Sequence, residues 1–288
     1  MIYRFILLIN TMSIKVYAQT KYFVQIAHVL GRLYGFKVTT EPTFSNTDTY
    51  IIFIPWLLET LPSKYIIYNF EQLKYCTDKL NVLHYENAEQ IWDFSQVNIE
   101  FLKRNNVSTN KIKFFPYGYF PEMIFKSNFC PYFSRDISCA FIGFMNRRRK
   151  EVLEPIYKYC TKNNMKFYCS NNCWGNEYEN ICSRTKIAFN IHFYGSDGLM
   201  EVHRIAPLVA NGIAVISEKS CDEWYNERLE GIVYWVHSTN DLCNVFSKLI
   251  GTDSVEMNFE LQKRKKLLIE RLNFSTNKIS INNNECTI

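Results

Sequence analysis

Residues 186 to 219 read KIAFNIHFYGSDGLMEVHRIAPLVANGIAVISEK, and the order of the parts in this stretch decides the fold. Ile187 to Phe193 alternates apolar residues and runs into Gly195-Ser196-Asp197-Gly198, the pattern of a strand entering a flexible loop. Val202, Ile205, Leu208 and Val209 then recur at helical spacing, Gly212 closes the helix, and Ile213 to Ile216 forms a second β-branched run. A unit of strand, loop, helix and strand places its loop and helix N-terminus at the carboxyl edge of a parallel sheet. Backbone N–H groups and the helix dipole favour an anion there. Glu201 and Arg204 fall in the first helical turn, on one face. A carboxylate for a ribose or sugar hydroxyl, beside a guanidinium for a phosphate, suits a nucleoside diphosphate.

The same alternation extends to both sides. Ser13 to Ala18 reads as a strand, followed by a helical stripe of Tyr22, Phe23, Ile26, Val29, Leu30 and Leu33 that ends near Gly35. Tyr50 to Ile54, Lys64 to Tyr68 and Lys111 to Phe115 are strand-like, while Glu71 to Leu80 and Gln96 to Arg104 are helical in pattern. The rhythm breaks between Pro116 and Arg135, which carries three prolines, and resumes at Ile137 to Ile142. Beyond that come helix 148–163, strand 166–170, helix 176–184, the quoted unit, strand 232–236, helix 239–250 and a charged helix from Val255 to Leu272. Alternation of this kind predicts an α/β fold of two Rossmann-like domains facing a cleft: 1–120, a linker at 121–136, 137–272, and a polar, frayed tail at 273–288.

Three stretches resemble GT-B glycosyltransferases, especially a bacterial and viral branch similar to glycosyltransferase group 1. In the quoted unit they are Glu201, Arg204, Leu208, Ala210-Asn211-Gly212, Val215 and Ser217-Glu218. Upstream, Tyr68-Asn69-Phe70-Glu71-Gln72-Leu73, Ile91-Trp92-Asp93-Phe94-Ser95 with Asn98, and Pro116-Tyr117-Gly118-Tyr119 resemble the amino-terminal half of that branch. Phe141-Ile142-Gly143 with Asn146-Arg147-Arg148-Arg149 resembles the start of its second domain. The resemblance implies an acceptor-side first domain, a nucleotide-sugar-binding second domain, and transfer of a hexose or pentose to a glycan, lipid or protein acceptor. The better-known retaining members carry two glutamates with seven residues between them around this helix. Here Glu201 is present, and Leu208 and Val209 occupy the region of the second.

Candidate donor-binding residues are Gly143, Asn146, Arg147, Tyr194, Gly195, Asp197, Glu201 and Arg204. Gly143 lets a phosphate approach and Arg147 neutralises it, whereas Arg148 and Arg149 read as the solvated face of the next helix. A solvated turn for Arg147, and an ion pair with Glu201 for Arg204, are the plainer alternatives. His192 reads as a core histidine and His203 as packed. Glu71 and Asp93 are the candidate bases for the acceptor hydroxyl, with turn or capping roles as their alternatives. The chain has no D-x-D motif, so arginines and a helix N-terminus are expected to carry the leaving-group charge without a metal or other cofactor.

Composition agrees with a folded enzyme or binding protein. Hydrophobic residues make up 47% and aromatic residues 16%, enough for ordered cores throughout. A net charge of +5 permits an anionic ligand or a peripheral membrane surface. The basic runs Arg147 to Arg149 and Lys263 to Lys266 lie far apart, against a nucleic-acid partner. The 10 cysteines include no CxxC pair, which argues for reduced thiols and no zinc site, and for the cytoplasm, or a host's cytoplasm for a viral protein. Phe5 to Ile9 is too short to span a membrane and reads as a strand or an upstream extension, with Met12 an alternative start. A nucleotide or sugar binder without turnover is the alternative function.

Overall fold

The computed structural model describes residues 13–21, 23–77, 81–126, 130–277, 279–281 and 284–286. Tyr22 and the run Phe5 to Ile9 lie outside the described residues. The chain forms two compact units: the described parts of Met1–Phe94, Asn98–Phe115 and Lys278–Ile288, and those of Ser95–Val97 and Pro116–Asn277. Both are built on parallel sheets, and the two-domain Rossmann-like α/β fold expected from the sequence is present.

The first unit contains β1 (Ile14–Tyr17), α1 (Val24–Tyr34), β2 (Lys37–Thr39), β3 (Thr49–Ile52), β4 (Tyr65–Asn69), α2 (Val82–Asn87), β5 (Gln90–Asp93), α3 (Gln96–Arg104) and β6 (Ile112–Phe114). Its sheet runs β2-β1-β3-β4-β5-β6. Every residue of β3 and β4 is buried, as expected of parallel strands covered on both faces. The stripe Ile26, Ala27, Val29 and Leu30 buries one side of α1, which Gly35 ends at φ 72°.

One local expectation fails in this unit, the helix from Glu71 to Leu80, whose last three residues lie outside the described residues. The segment from Glu71 is not a regular helix but a short 3₁₀ turn at Leu73–Tyr75, because the Asn98 side chain, 25 positions away, accepts from the Leu73 N–H at 3.1 Å. The helix comes later, at α2, where the Asn81 side chain caps the Leu83 N–H, and β5 follows it.

The second unit contains β7 (Ile137–Ile142), α4 (Arg147–Lys162), β8 (Phe167–Ser170), α5 (Gly175–Ser183), β9 (Thr185–Asn190), α6 (Val202–Ala210), β10 (Ala214–Glu218), α7 (Glu223–Arg228), β11 (Tyr234–Val236), α8 (Thr239–Ile250) and α9 (Ser254–Arg271). Its sheet runs β11-β10-β9-β7-β8, all parallel. A core of Phe141, Leu153, Ile156, Ile187, Phe189, Ile216, Phe246 and Leu261 fills it. In the first unit, β12 (Ile279–Ile281) and β13 (Asn284–Cys286) pair antiparallel.

The described residues of the expected linker make contacts with the second unit. Tyr132 joins the second core, and the Asn211 side chain accepts from the Phe125 N–H and donates to the Met123 carbonyl. Gly118 lies so close to the end of α9 that an added Cβ would collide with the Leu272 carbonyl oxygen, while the Tyr119 N–H donates to that same oxygen at 2.5 Å. The start of the expected tail is also packed, with Phe274 only 1% exposed. Among the described residues no helix is long and apolar enough to cross a membrane.

Each parallel sheet reverses strand order beside its first strand, between β1 and β3 in one and between β7 and β9 in the other. Crevices for ligands open outside the carboxyl ends of strands at such points.

Candidate functional site

The switch point of the second unit gathers most of the charge that the sequence places near the quoted unit. Gly143 follows β7, the loop from Ile191 follows β9, and Glu201 stands at the start of α6. Arg149, on α4, donates from Nη2 to both Glu201 oxygens at 2.8 and 3.1 Å. Arg204 donates from Nη1 to Glu201 Oε2 at 2.7 Å and to Asn190 Oδ1 at 3.2 Å. Asn190 is itself fixed by donating to Ser217 Oγ at 2.9 Å. Burial alone would raise the Glu201 pKa, but Arg204 and Arg149 more than offset it and hold the carboxyl below its usual range.

This geometry corrects two expectations. Glu201 is 8% exposed and engaged by two guanidiniums, so it acts as the pivot of an arginine cluster, and the ion pair weighed as the alternative for Arg204 is present. Arg149 is not solvated: it is 2% exposed and also donates to the Ile191 and Phe144 carbonyls. Arg148 is not free either, since it pairs with Glu218 and donates to the His192 carbonyl at 2.7 Å. Arg147 is the solvated one, with its side chain 93% exposed and paired with Glu151 one turn along α4. The helical period contained this signal. Arg149, Leu153, Ile156 and Cys160 share the buried stripe of α4, so the third arginine of the run had to point inward.

Gly143 and Arg204 fit together. A Cβ at Gly143 would meet Arg204 Nη2 at 2.8 Å, so the glycine leaves the space that this guanidinium fills at the mouth of the switch point. Behind Arg204 lies a cavity of about 10 Å³ bordered by Ile142, Tyr178, Cys182 and Leu208. That is room for about one water and far too little for a sugar nucleotide.

Asn146 caps α4 by accepting from the Arg149 N–H at 2.8 Å and ties that turn to the Phe193 carbonyl at 2.9 Å. Gly195, at φ 71°, faces Arg148, where a Cβ would sit 3.2 Å from Nε. Tyr194, 39% exposed, and Asp197, also exposed, complete the loop above the cluster. His192 was not among the expected site residues, yet it is fully buried beside Glu201. His203 lies on the exposed side of α6 rather than packed.

Glu71 and Asp93 occupy carboxyl ends in the first unit, but at β4 and β5, beyond the switch point between β1 and β3. Asp93 is 0% exposed and accepts from Asn69 Nδ2 at 2.7 Å and Asn98 Nδ2 at 3.1 Å. Those two amides also hold the Glu71 backbone. Asn69 accepts from its N–H, and both asparagines donate to its carbonyl. A carboxylate without surface cannot meet an acceptor hydroxyl, so Asp93 fastens the turn while the half-buried Glu71 is the group carried on it.

No family model matches the chain, and no curated protein is detectably similar in sequence. Solved structures are similar in fold. HepE of Anabaena, solved with UDP-glucose, matches at a TM-score of 0.59 and 10% identity over 92% of this chain and 96% of its own. Sucrose-phosphate synthase of Thermosynechococcus elongatus matches at 0.52 and 12% identity, covering 88% and 74%. A putative UDP-N-acetylglucosamine 2-epimerase of Listeria monocytogenes matches at 0.51 and 8%, covering 89% and 92%. At these identities the likeness shows the fold, that of the GT-B proteins.

Proposed function

We propose that this chain is a glycosyltransferase that moves a sugar from a nucleoside diphosphate donor to a glycan, lipid or protein acceptor. The observation that carries this reading is the Arg204 guanidinium, held by Glu201 and Asn190 with Nη2 against Gly143, at the carboxyl ends of β7 and β9. A preorganised guanidinium at a switch point binds a diphosphate and stabilises it as it departs. That HepE was solved with UDP-glucose supports a nucleotide-sugar donor for a chain of this fold. Gly195, Asp197 and Tyr194 would flank the donor, and Asn146 would shape the approach. Glu71 is the base assigned to the acceptor. Metal independence belongs to the proposal, because Arg204 carries the leaving-group charge itself.

A nucleotide-sugar binder without turnover is the second reading. It is favoured by the engagement of Glu201 and the burial of Asp93, which leave neither carboxylate free to react. Release of nucleoside diphosphate from a panel of nucleotide sugars, with candidate acceptors and with or without chelator, separates the two. Turnover that survives chelation supports the transferase. Binding without turnover supports the second reading, and turnover lost to chelator and restored by manganese contradicts metal independence.

A further inference from the structure

His192 is fully buried, and the proposed reaction gives it no role. Its Nε2 lies 3.1 Å from the Glu218 carbonyl oxygen. A carbonyl only accepts, so Nε2 carries the proton and Nδ1 of the neutral ring is a bare acceptor. Nδ1 has no hydrogen-bond partner and faces Glu201 Oε2 at 3.8 Å. Two buried acceptors side by side with no proton between them are unfavourable, and a proton on Nδ1 would turn the 3.8 Å contact into an ion pair.

The surroundings explain why that proton is absent. Burial disfavours the imidazolium, and Arg204 adds to the effect, so the His192 pKa lies below its usual value. The charged groups around the ring are Arg148 and Arg149 from α4, Glu201 and Arg204 from the start of α6, and Glu218 from the end of β10. Arginines outnumber carboxylates in this set. An anion against Arg204 reverses that balance.

On the reading of Arg204 as the diphosphate ligand, we propose that His192 is a positioning residue for the donor. Anion binding at Arg204 lets Nδ1 take up one proton from solvent and keep it, so that the imidazolium pairs with Glu201 and fixes the carboxylate that holds Arg149 and Arg204. Donor binding is thereby coupled to proton uptake.

The test is calorimetric titration of the full chain with UDP-glucose, and with GDP-mannose as a second probe, in buffers of differing ionisation enthalpy. Both probes are pyrophosphate diesters, fully ionised at neutral pH, so the ligand contributes no proton. The expected result is net uptake approaching one proton, with affinity at least about threefold tighter near pH 6 than near pH 8. His192→Gln, whose amide can still donate to the Glu218 carbonyl, should bind without uptake and with a flat pH profile. Wild-type binding without uptake, or equal uptake by His192→Gln, would overturn the assignment. Failure of both probes to bind would instead sink the nucleotide-sugar reading, and this inference with it.

Discussion

Arg149 and Glu201, 52 positions apart in the chain, form a two-oxygen ion pair from one guanidinium nitrogen, with side chains 2% and 10% exposed. Removing Arg149 leaves Glu201 to Arg204 alone and strips the buried Ile191 and Phe144 carbonyls of their donor, so Arg149→Ala should lower stability by about 1–3 kcal/mol. Arg147→Ala, two positions away on the exposed side of the helix, should change it by less than about 0.5 kcal/mol. Urea denaturation of both variants checks the contrast, and equal effects would place the run as the sequence first suggested.

Gly118 provides a second test of packing. Its Cβ position collides with the backbone oxygen of Leu272 rather than with a movable side chain. Gly118→Ala should therefore cost about 1–3 kcal/mol, measured by thermal or urea unfolding. An unchanged midpoint would show that residues 116–119 do not lie against the end of α9.

The two first-unit carboxylates should separate by phenotype. Asp93→Asn turns an amide toward the amides of Asn69 and Asn98, and should cost about 1–3 kcal/mol of stability through lost acceptors. Glu71→Gln should leave stability near wild type and lower turnover by about 10²–10⁴-fold, with donor affinity unchanged. Full turnover in Glu71→Gln would move the base elsewhere or indicate a retaining mechanism.

Stability should also depend on pH through His192. Its folded pKa lies below the ordinary 6.5, so the unfolded chain takes up a proton first as pH falls. The contribution is fully present above about pH 6.5 and is lost as pH drops through the folded value. Urea midpoints of the unliganded protein should fall on this limb and fall less in His192→Gln. An identical slope in the two proteins contradicts the assignment.

Much of the fold was legible because it is local. The stripe of α6, the stop at Gly212 and the fully apolar strands follow from period and turn chemistry alone. Glu201 and Arg204 share one turn, so their pairing could be read directly. What was missed depends on distant partners. The turn at Leu73 exists because Asn98 takes its N–H, and Phe125 is held by Asn211, 86 positions away. β5 is a short strand with only Ile91 and Trp92 as its apolar signal. Arg149 was legible in principle, but three adjacent arginines read as one charge run unless each is projected onto the helix, where neighbours point in different directions.

The central claim is that Arg204 binds a donor diphosphate, and the most direct measurement is calorimetric titration of a nucleotide-sugar panel, UDP-glucose included, into wild type and Arg204→Ala. The expected result is binding of at least one donor by wild type and affinity reduced at least about tenfold in the variant, as for loss of a charge-assisted contact, with the variant still folded by circular dichroism. Binding of no donor by the wild type, or equal affinity in the two proteins, would contradict it.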